Sequence, residues 1–122
     1  MEIGVDCVDI ERFSNIINNK KLLHKIFTEH EIEYCKVRRP SSQHFAARFA
    51  GKEALVKALS YYNIQIPLNQ IEITNNQNER PSIRILDDEY ASFELKVSLS
   101  HSKEIAIAMV VVIENKGIYE NK

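Results

Sequence analysis

Residues 41–59 carry the pattern that most restricts what this chain can fold into. On a helical wheel, at about 100° per residue, Phe45, Phe49 and Val56 make one apolar stripe. Ala47, Ala50, Gly51, Ala54 and Ala58 make a second stripe, of small residues. A helix apolar over most of its circumference belongs in an interior. Glu53 and Lys57 fall between the two stripes, and a carboxylate held inside a protein must be ion-paired, hydrogen-bonded or bound to a metal. What partners Glu53 is therefore the question this sequence poses first.

The 122 residues bound the answers. They suffice for one domain over 1–122 with a single core but fall short of a two-domain enzyme, which leaves an active site open to completion by a second subunit. Residues 115–122 read as a loose polar tail. A chain that is 44% hydrophobic and 27% charged with net charge -1 suggests neither disorder nor bulk affinity for nucleic acid. The longest apolar run, residues 105–113, is too short to cross a bilayer. The first residues lack a basic region followed by an apolar stretch and a cleavage site, so a cytoplasmic protein is expected. Cys7 and Cys35 form neither a CxxC pair nor a metal-ligand spacing and read as reduced packing residues.

The periodicity sketches an α+β domain, with a small antiparallel sheet against the long helix and further helices on the N-terminal side. Residues 3–6 read as a short strand ending in Asp6, and from Asp9 the spacing of Ile10, Phe13, Ile16 and Ile17 predicts a helix. Leu22, Leu23, Ile26 and Phe27 continue a second apolar face. Thr28-Glu29-His30-Glu31 has the form of a capping box, opening a helix that ends before Arg38-Arg39-Pro40. Ser41-Ser42 then cap the long helix. After Tyr62 the period changes to 2: Ile71 and Ile73, a turn at Asn75-Asn76-Gln77-Asn78, then Ile83 and Ile85 predict a hairpin. Asp87 to Phe93 reads as a short helical passage, Val97 and Leu99 as a strand. Residues 105–113, apolar on both faces, predict a central strand covered on both sides.

Three constellations could carry chemistry. Asp6, read as a strand-end acid, is the best partner for Glu53; two carboxylates brought together repel, and an oxygen-only pair relieved by a cation suits Mg²⁺ better than Zn²⁺. The plainer alternative pairs Glu53 with Lys57 at i,i+4. Ser100-His101-Ser102-Lys103, at a strand-to-strand turn, could gather around phosphate oxygens or simply form the turn. Arg12, Lys20, Lys21 and Lys25 form either a basic surface for an acidic helical partner or an ordinary solvated face. No Walker loop, GxGxxG, HExxH or assignable Ser-His-Asp set is present.

Gly4-Val5-Asp6, the run from Phe45 to Ala54 with its Arg-Phe-Ala-Gly-Lys-Glu-Ala core, and Ser98-Leu99-Ser100-His101-Ser102 together resemble the 4'-phosphopantetheinyl transferases, in their short holo-acyl-carrier-protein synthase branch. The resemblance implies transfer of 4'-phosphopantetheine from coenzyme A to a serine of an apo acyl carrier protein, leaving adenosine 3',5'-bisphosphate. It implies Asp6 and Glu53 as Mg²⁺ ligands and Lys57 near the phosphates, these three forming the catalytic set. Arg48, Lys52, Lys57, Ser100, His101 and Ser102 match positions that handle coenzyme A. Arg12 matches a carrier-facing position that Lys20, Lys21 and Lys25 would extend. A metal-bound water, or Glu53 acting through one, is the preferred base. The branch is typically homotrimeric, with the coenzyme A site between subunits, and the small-residue stripe would support such packing.

The sequence departs from the branch at two loops. Leu59-Ser60-Tyr61-Tyr62-Asn63 lacks a customary glycine, and Glu79-Arg80-Pro81 replaces a second one before a lysine-proline pair. The alternatives left open are a transferase dedicated to a specialised, polyketide-type carrier rather than the general fatty-acid one, another Mg²⁺-dependent phosphoryl transfer or hydrolysis, and an inactive carrier-binding module.

Overall fold

The computed structural model describes residues 1–115; the predicted tail, from residue 116 on, lies outside them. Strand β1 (Glu2–Asp9) is followed by helices α1 (Arg12–Ile16), α2 (Lys20–Ile26), α3 (Glu29–Lys36) and α4 (Ser41–Leu59). Then come strands β2 (Ile71–Asn75), β3 (Pro81–Ile85), β4 (Phe93–His101) and β5 (Ile105–Glu114). β1, β5 and β4 form an antiparallel sheet in that order, and β2 and β3 form a separate hairpin. This is the predicted α+β architecture, with α4 laid across one face of the three-stranded sheet.

Local chemistry sets the helix boundaries. The Asn19 carboxamide caps α2 by accepting from Leu22 N, 3.1 Å away, and this cap separates α1 from α2. Thr28 and Glu31 close the expected capping box at α3. The expected serine cap on α4 does not form: Pro40 occupies the N-cap and Ser41 opens the helix, because proline's fixed φ suits the entry.

The sheet corrects the sequence reading twice. β1 runs on to Asp9 because β5 pairs with it from Glu2↔Val112 through Asp9↔Ile105. Asp6 therefore sits in mid-strand, opposite Ala108, and not at a strand end. β5 is central as predicted, but it is covered on one face. Ala106, Ala108, Val110 and Val112 are buried towards α4, whereas Ile105, Ile107 and Met109 are exposed.

The small-residue stripe also works inside this chain. A Cβ on Gly4 would lie 1.8 Å from Ala54 O, so β1 and α4 approach closely only with glycine there. Away from the sheet, Phe27 and Phe45 meet edge-to-face with centroids 5.0 Å apart and Phe13 and Phe49 pack tilted at 5.3 Å, joining α1 and the end of α2 to α4. Among the described residues, no helix is long and apolar enough to cross a membrane.

Candidate active site

Lys57, in the last turn of α4, reaches across to β1. Its ammonium donates to Asp6 Oδ1 at 2.9 Å and Val5 O at 3.0 Å, and its side chain is half exposed while that of Asp6 is mostly covered. An ammonium has three N–H donors, so one remains for a phosphate oxygen. Glu53 lies one helical turn earlier on α4 and is partly buried. Among the described residues its carboxylate has no ion-pair partner. The plainer sequence alternative is thus replaced: Lys57 pairs with Asp6, and Glu53 stays free of Lys57. Among the described residues, no group of three or more His, Cys, Asp or Glu could hold a metal. Two carboxylates with one cation between their elements still fit a magnesium ion, which takes one or two carboxylates and draws its other ligands from water and substrate phosphates.

Lys52 is a correction. It was expected to handle coenzyme A, yet it is fully buried. Its ammonium sits 2.5 Å from Glu31 Oε1 and donates to Ile26 O at 2.7 Å and Leu68 O at 3.0 Å, leaving no donor for a phosphate. Glu31 Oε1 also accepts from Thr28 N at 2.9 Å and its Oε2 from Ile73 N at 2.8 Å. This buried pair ties α2, α3, α4 and β2 together. Burial pushes the Lys52 ammonium below the ordinary lysine range, against the opposing pull of Glu31. Beside it, burial would raise the Glu72 carboxyl, but bonds from Thr28 and Arg84 outweigh burial and hold it below its usual range.

Arg48 is also buried, at 3% exposure, in a setting suited to an anion. Its guanidinium bonds to Asn75 Oδ1 and lies 4.1 Å from the Tyr34 ring centroid, and its Nε is buried without a partner. Arg38 stacks on the same ring at 3.3 Å. His44 packs against Tyr34, and His101 contacts Gln43. Desolvation first, then the charges of Arg48 and Arg38, push His44 below the usual histidine range. Arg38, Tyr34, His44 and Gln43 were not singled out from the sequence. They are scattered over α3, α4 and the segment between them without motif spacing, and the fold alone assembles them.

The Ser100-His101-Ser102 set is dispersed. Strand alternation puts Ser100 on the bare sheet face beside Val5 and Met109, while His101 meets α4 through Gln43. Ser102 is a turn former, its hydroxyl accepting from Glu104 N at 3.4 Å and Ile105 N at 3.3 Å. Arg12 is exposed at the start of α1, 5.5 Å over the Phe49 ring, and Lys20, Lys21 and Lys25 are exposed on α2.

The Lys57–Asp6 pair with Glu53 one turn away, towards the end of α4, and guanidiniums nearer its start are a combination suited to a polyphosphate substrate. A family model described as the 4'-phosphopantetheinyl transferase superfamily matches residues 2–110, and the chain belongs to that superfamily. It is similar to a holo-acyl-carrier-protein synthase of Geotalea daltonii, 39% identical over 118 residues that cover 89% of this chain and 94% of the relative. The corresponding synthase of Borreliella burgdorferi is 38% identical over 120 residues, 90% of this chain and 96% of that one. A crystal structure of Helicobacter pylori holo-acyl-carrier-protein synthase in complex with coenzyme A is 32% identical, with a TM-score of 0.77 and coverage of 91% and 99%.

Proposed function

We propose that this chain is a holo-acyl-carrier-protein synthase: it transfers 4'-phosphopantetheine from coenzyme A to a serine of an apo acyl carrier protein. The observation that carries the site assignment is the Lys57 ammonium held by Asp6 and Val5 with a donor to spare, one turn from the unpartnered Glu53. The serine oxygen bonds to the phosphorus that bears pantetheine, the bond from that phosphorus to the bridging oxygen breaks, and adenosine 3',5'-bisphosphate leaves with that oxygen. Lys57 meets the charge that builds on the phosphate oxygens, where a fixed donor is most effective. Asp6 fixes the Lys57 ammonium, and Glu53 takes the serine proton through a water. We assign Asp6 and Glu53 as ligands of Mg²⁺, which when bound neutralises pyrophosphate charge and orients it for in-line displacement. Arg48 and His101 are assigned to other anionic parts of coenzyme A. Lys52 is left out of that set.

Three further assignments belong to this reading. The apolar face formed by Ile3, Val5, Ile107 and Met109, all between 42% and 54% exposed, supports a homotrimer in which neighbours cover it, since such patches mark association surfaces. Two free thiols, Cys7 and Cys35, agree with work in the reducing cytoplasm, on the carrier of fatty acid biosynthesis. Arg12, Lys20, Lys21 and Lys25 form the carrier-docking surface, their charges steering an acidic helix.

Intact-mass measurement of an apo carrier incubated with the protein, coenzyme A and Mg²⁺ tests the activity. The carrier gains one phosphopantetheine group, one adenosine 3',5'-bisphosphate appears per modified carrier, and a chelator stops both. An unmodified carrier across a panel of apo carriers would refute the reading, and undiminished transfer in chelator would refute the metal assignment.

A further inference from the structure

We propose that Glu79 sets the affinity and selectivity of the Arg38–Arg48 cluster, acting as a built-in carboxylate that repels an anionic group of coenzyme A; the identity of that ligand rests on the activity proposed above. Glu79 sits in the turn between β2 and β3 with φ 59°, the left-handed region that side chains other than glycine, asparagine and aspartate enter rarely. The other non-glycine residue there is Asn63, a type that tolerates it. A glutamate kept in such a conformation has to be held, and three hydrogen bonds hold this one. Glu79 N donates to Asn76 O at 2.9 Å, Asn75 Nδ2 donates to Glu79 O at 3.0 Å, and the Tyr34 hydroxyl donates to Glu79 Oε2 at 3.1 Å. An observed outlier of this kind is a reason to look for function.

The surroundings give it one. Asn75, which anchors the Glu79 carbonyl, also accepts from Arg48, and Tyr34, which anchors the carboxylate, carries both guanidiniums on its ring. Among the described residues neither Arg38 nor Arg48 forms an ion pair, and Arg48 Nε has no partner. Two guanidiniums without counterions thus lie one tyrosine away from a carboxylate that is tethered beside them but not joined to them. An arriving phosphate gains the guanidiniums and is repelled by Glu79. That repulsion grows with the charge on the phosphate, so Glu79 acts most on a dianionic phosphomonoester. Coenzyme A carries one such group, its 3'-phosphate, and dephospho-coenzyme A lacks it.

Equilibrium binding of coenzyme A and dephospho-coenzyme A to wild type and Glu79→Gln tests this. The amide keeps an oxygen for the Tyr34 hydroxyl and removes the charge. Coenzyme A is expected to bind about fivefold more tightly to the variant, the effect of removing one like charge from a partly screened site. Dephospho-coenzyme A should change by less than about twofold, because a lower ligand charge feels the same field less. Glu79→Gly, which also frees the backbone, should show the same gain and covers the case in which the glutamine variant is poorly folded. Unchanged coenzyme A affinity in both variants, or an equal gain for the two ligands, would overturn the proposal. Binding needs no turnover, so failure of carrier modification with the Glu79 effect intact would sink the proposed activity alone.

Discussion

Two lysines five residues apart on α4 divide the work of this protein. Lys52 spends all its donors inside the molecule, on Glu31, Ile26 and Leu68, whereas Lys57 spends two, on Asp6 and Val5, and stands half exposed. The difference follows from their positions on the wheel. Lys52 faces α2 and α3, where backbone carbonyls at element ends need donors, and Lys57 faces the rim of the sheet. One cation is architecture and the other is the one proposed for the transfer site, although both belong to the same sequence motif.

The strongest way to break the comparison is Lys52→Met. Leaving Glu31 buried without its cation should cost about 3–5 kcal/mol, read as a fall in the chemical denaturation midpoint. Adding Glu31→Leu should recover only part of that loss: the stranded charge goes, but Thr28 N and Ile73 N lose their acceptor. Little change in the single variant would return Lys52 to the list of candidate ligand contacts. Next comes the exposed sheet face: Met109→Glu, which sets a charge in the apolar patch, should convert the proposed trimer to monomers in light scattering. Persistence of the wild-type mass would place the subunit contact elsewhere. Arg12→Glu should raise the carrier KM about tenfold with coenzyme A binding little changed, as expected for a charge at the edge of a docking surface. Equal loss of both would remove Arg12 from that surface.

The smallest effect concerns pH. The His44 pKa is lowered by desolvation and by Arg48 and Arg38, so the unfolded chain takes up the proton more readily than the folded one. Stability conferred by neutral His44 is complete above about pH 6.5 and is lost as pH falls below it. His44→Phe should flatten the stability profile on that acid side. An unchanged profile would mean that the guanidiniums do not act on His44.

The sequence made the scaffold legible where signals are local. The capping box at Thr28, the period change after Tyr62 and the hairpin of β2 and β3 all depend on neighbours along the chain. It misread what depends on distant partners. The wheel singled out Glu53 as the charge in the interior, but the buried charges of α4 are Lys52 and Arg48. The partner of Lys52 is Glu31, and Arg48 is held by Asn75 and Tyr34; no spacing rule links these positions. Asp6 reads as a strand-end acid in a short strand over residues 3–6, yet pairing with β5 carries the strand on to Asp9. The bare face of β5 escaped notice because a doubly apolar strand reads the same whether the chain itself or a neighbouring subunit covers it.

The central claim is that Asp6, Glu53 and Lys57 form the transfer site, and Glu53→Gln tests it most directly, with turnover and thermal midpoint measured on the same preparation. The account predicts carrier modification slowed at least about 100-fold, the scale typical of removing one preorganised group, with the midpoint within a few degrees of wild type. Near-normal modification by a folded Glu53→Gln protein would contradict it.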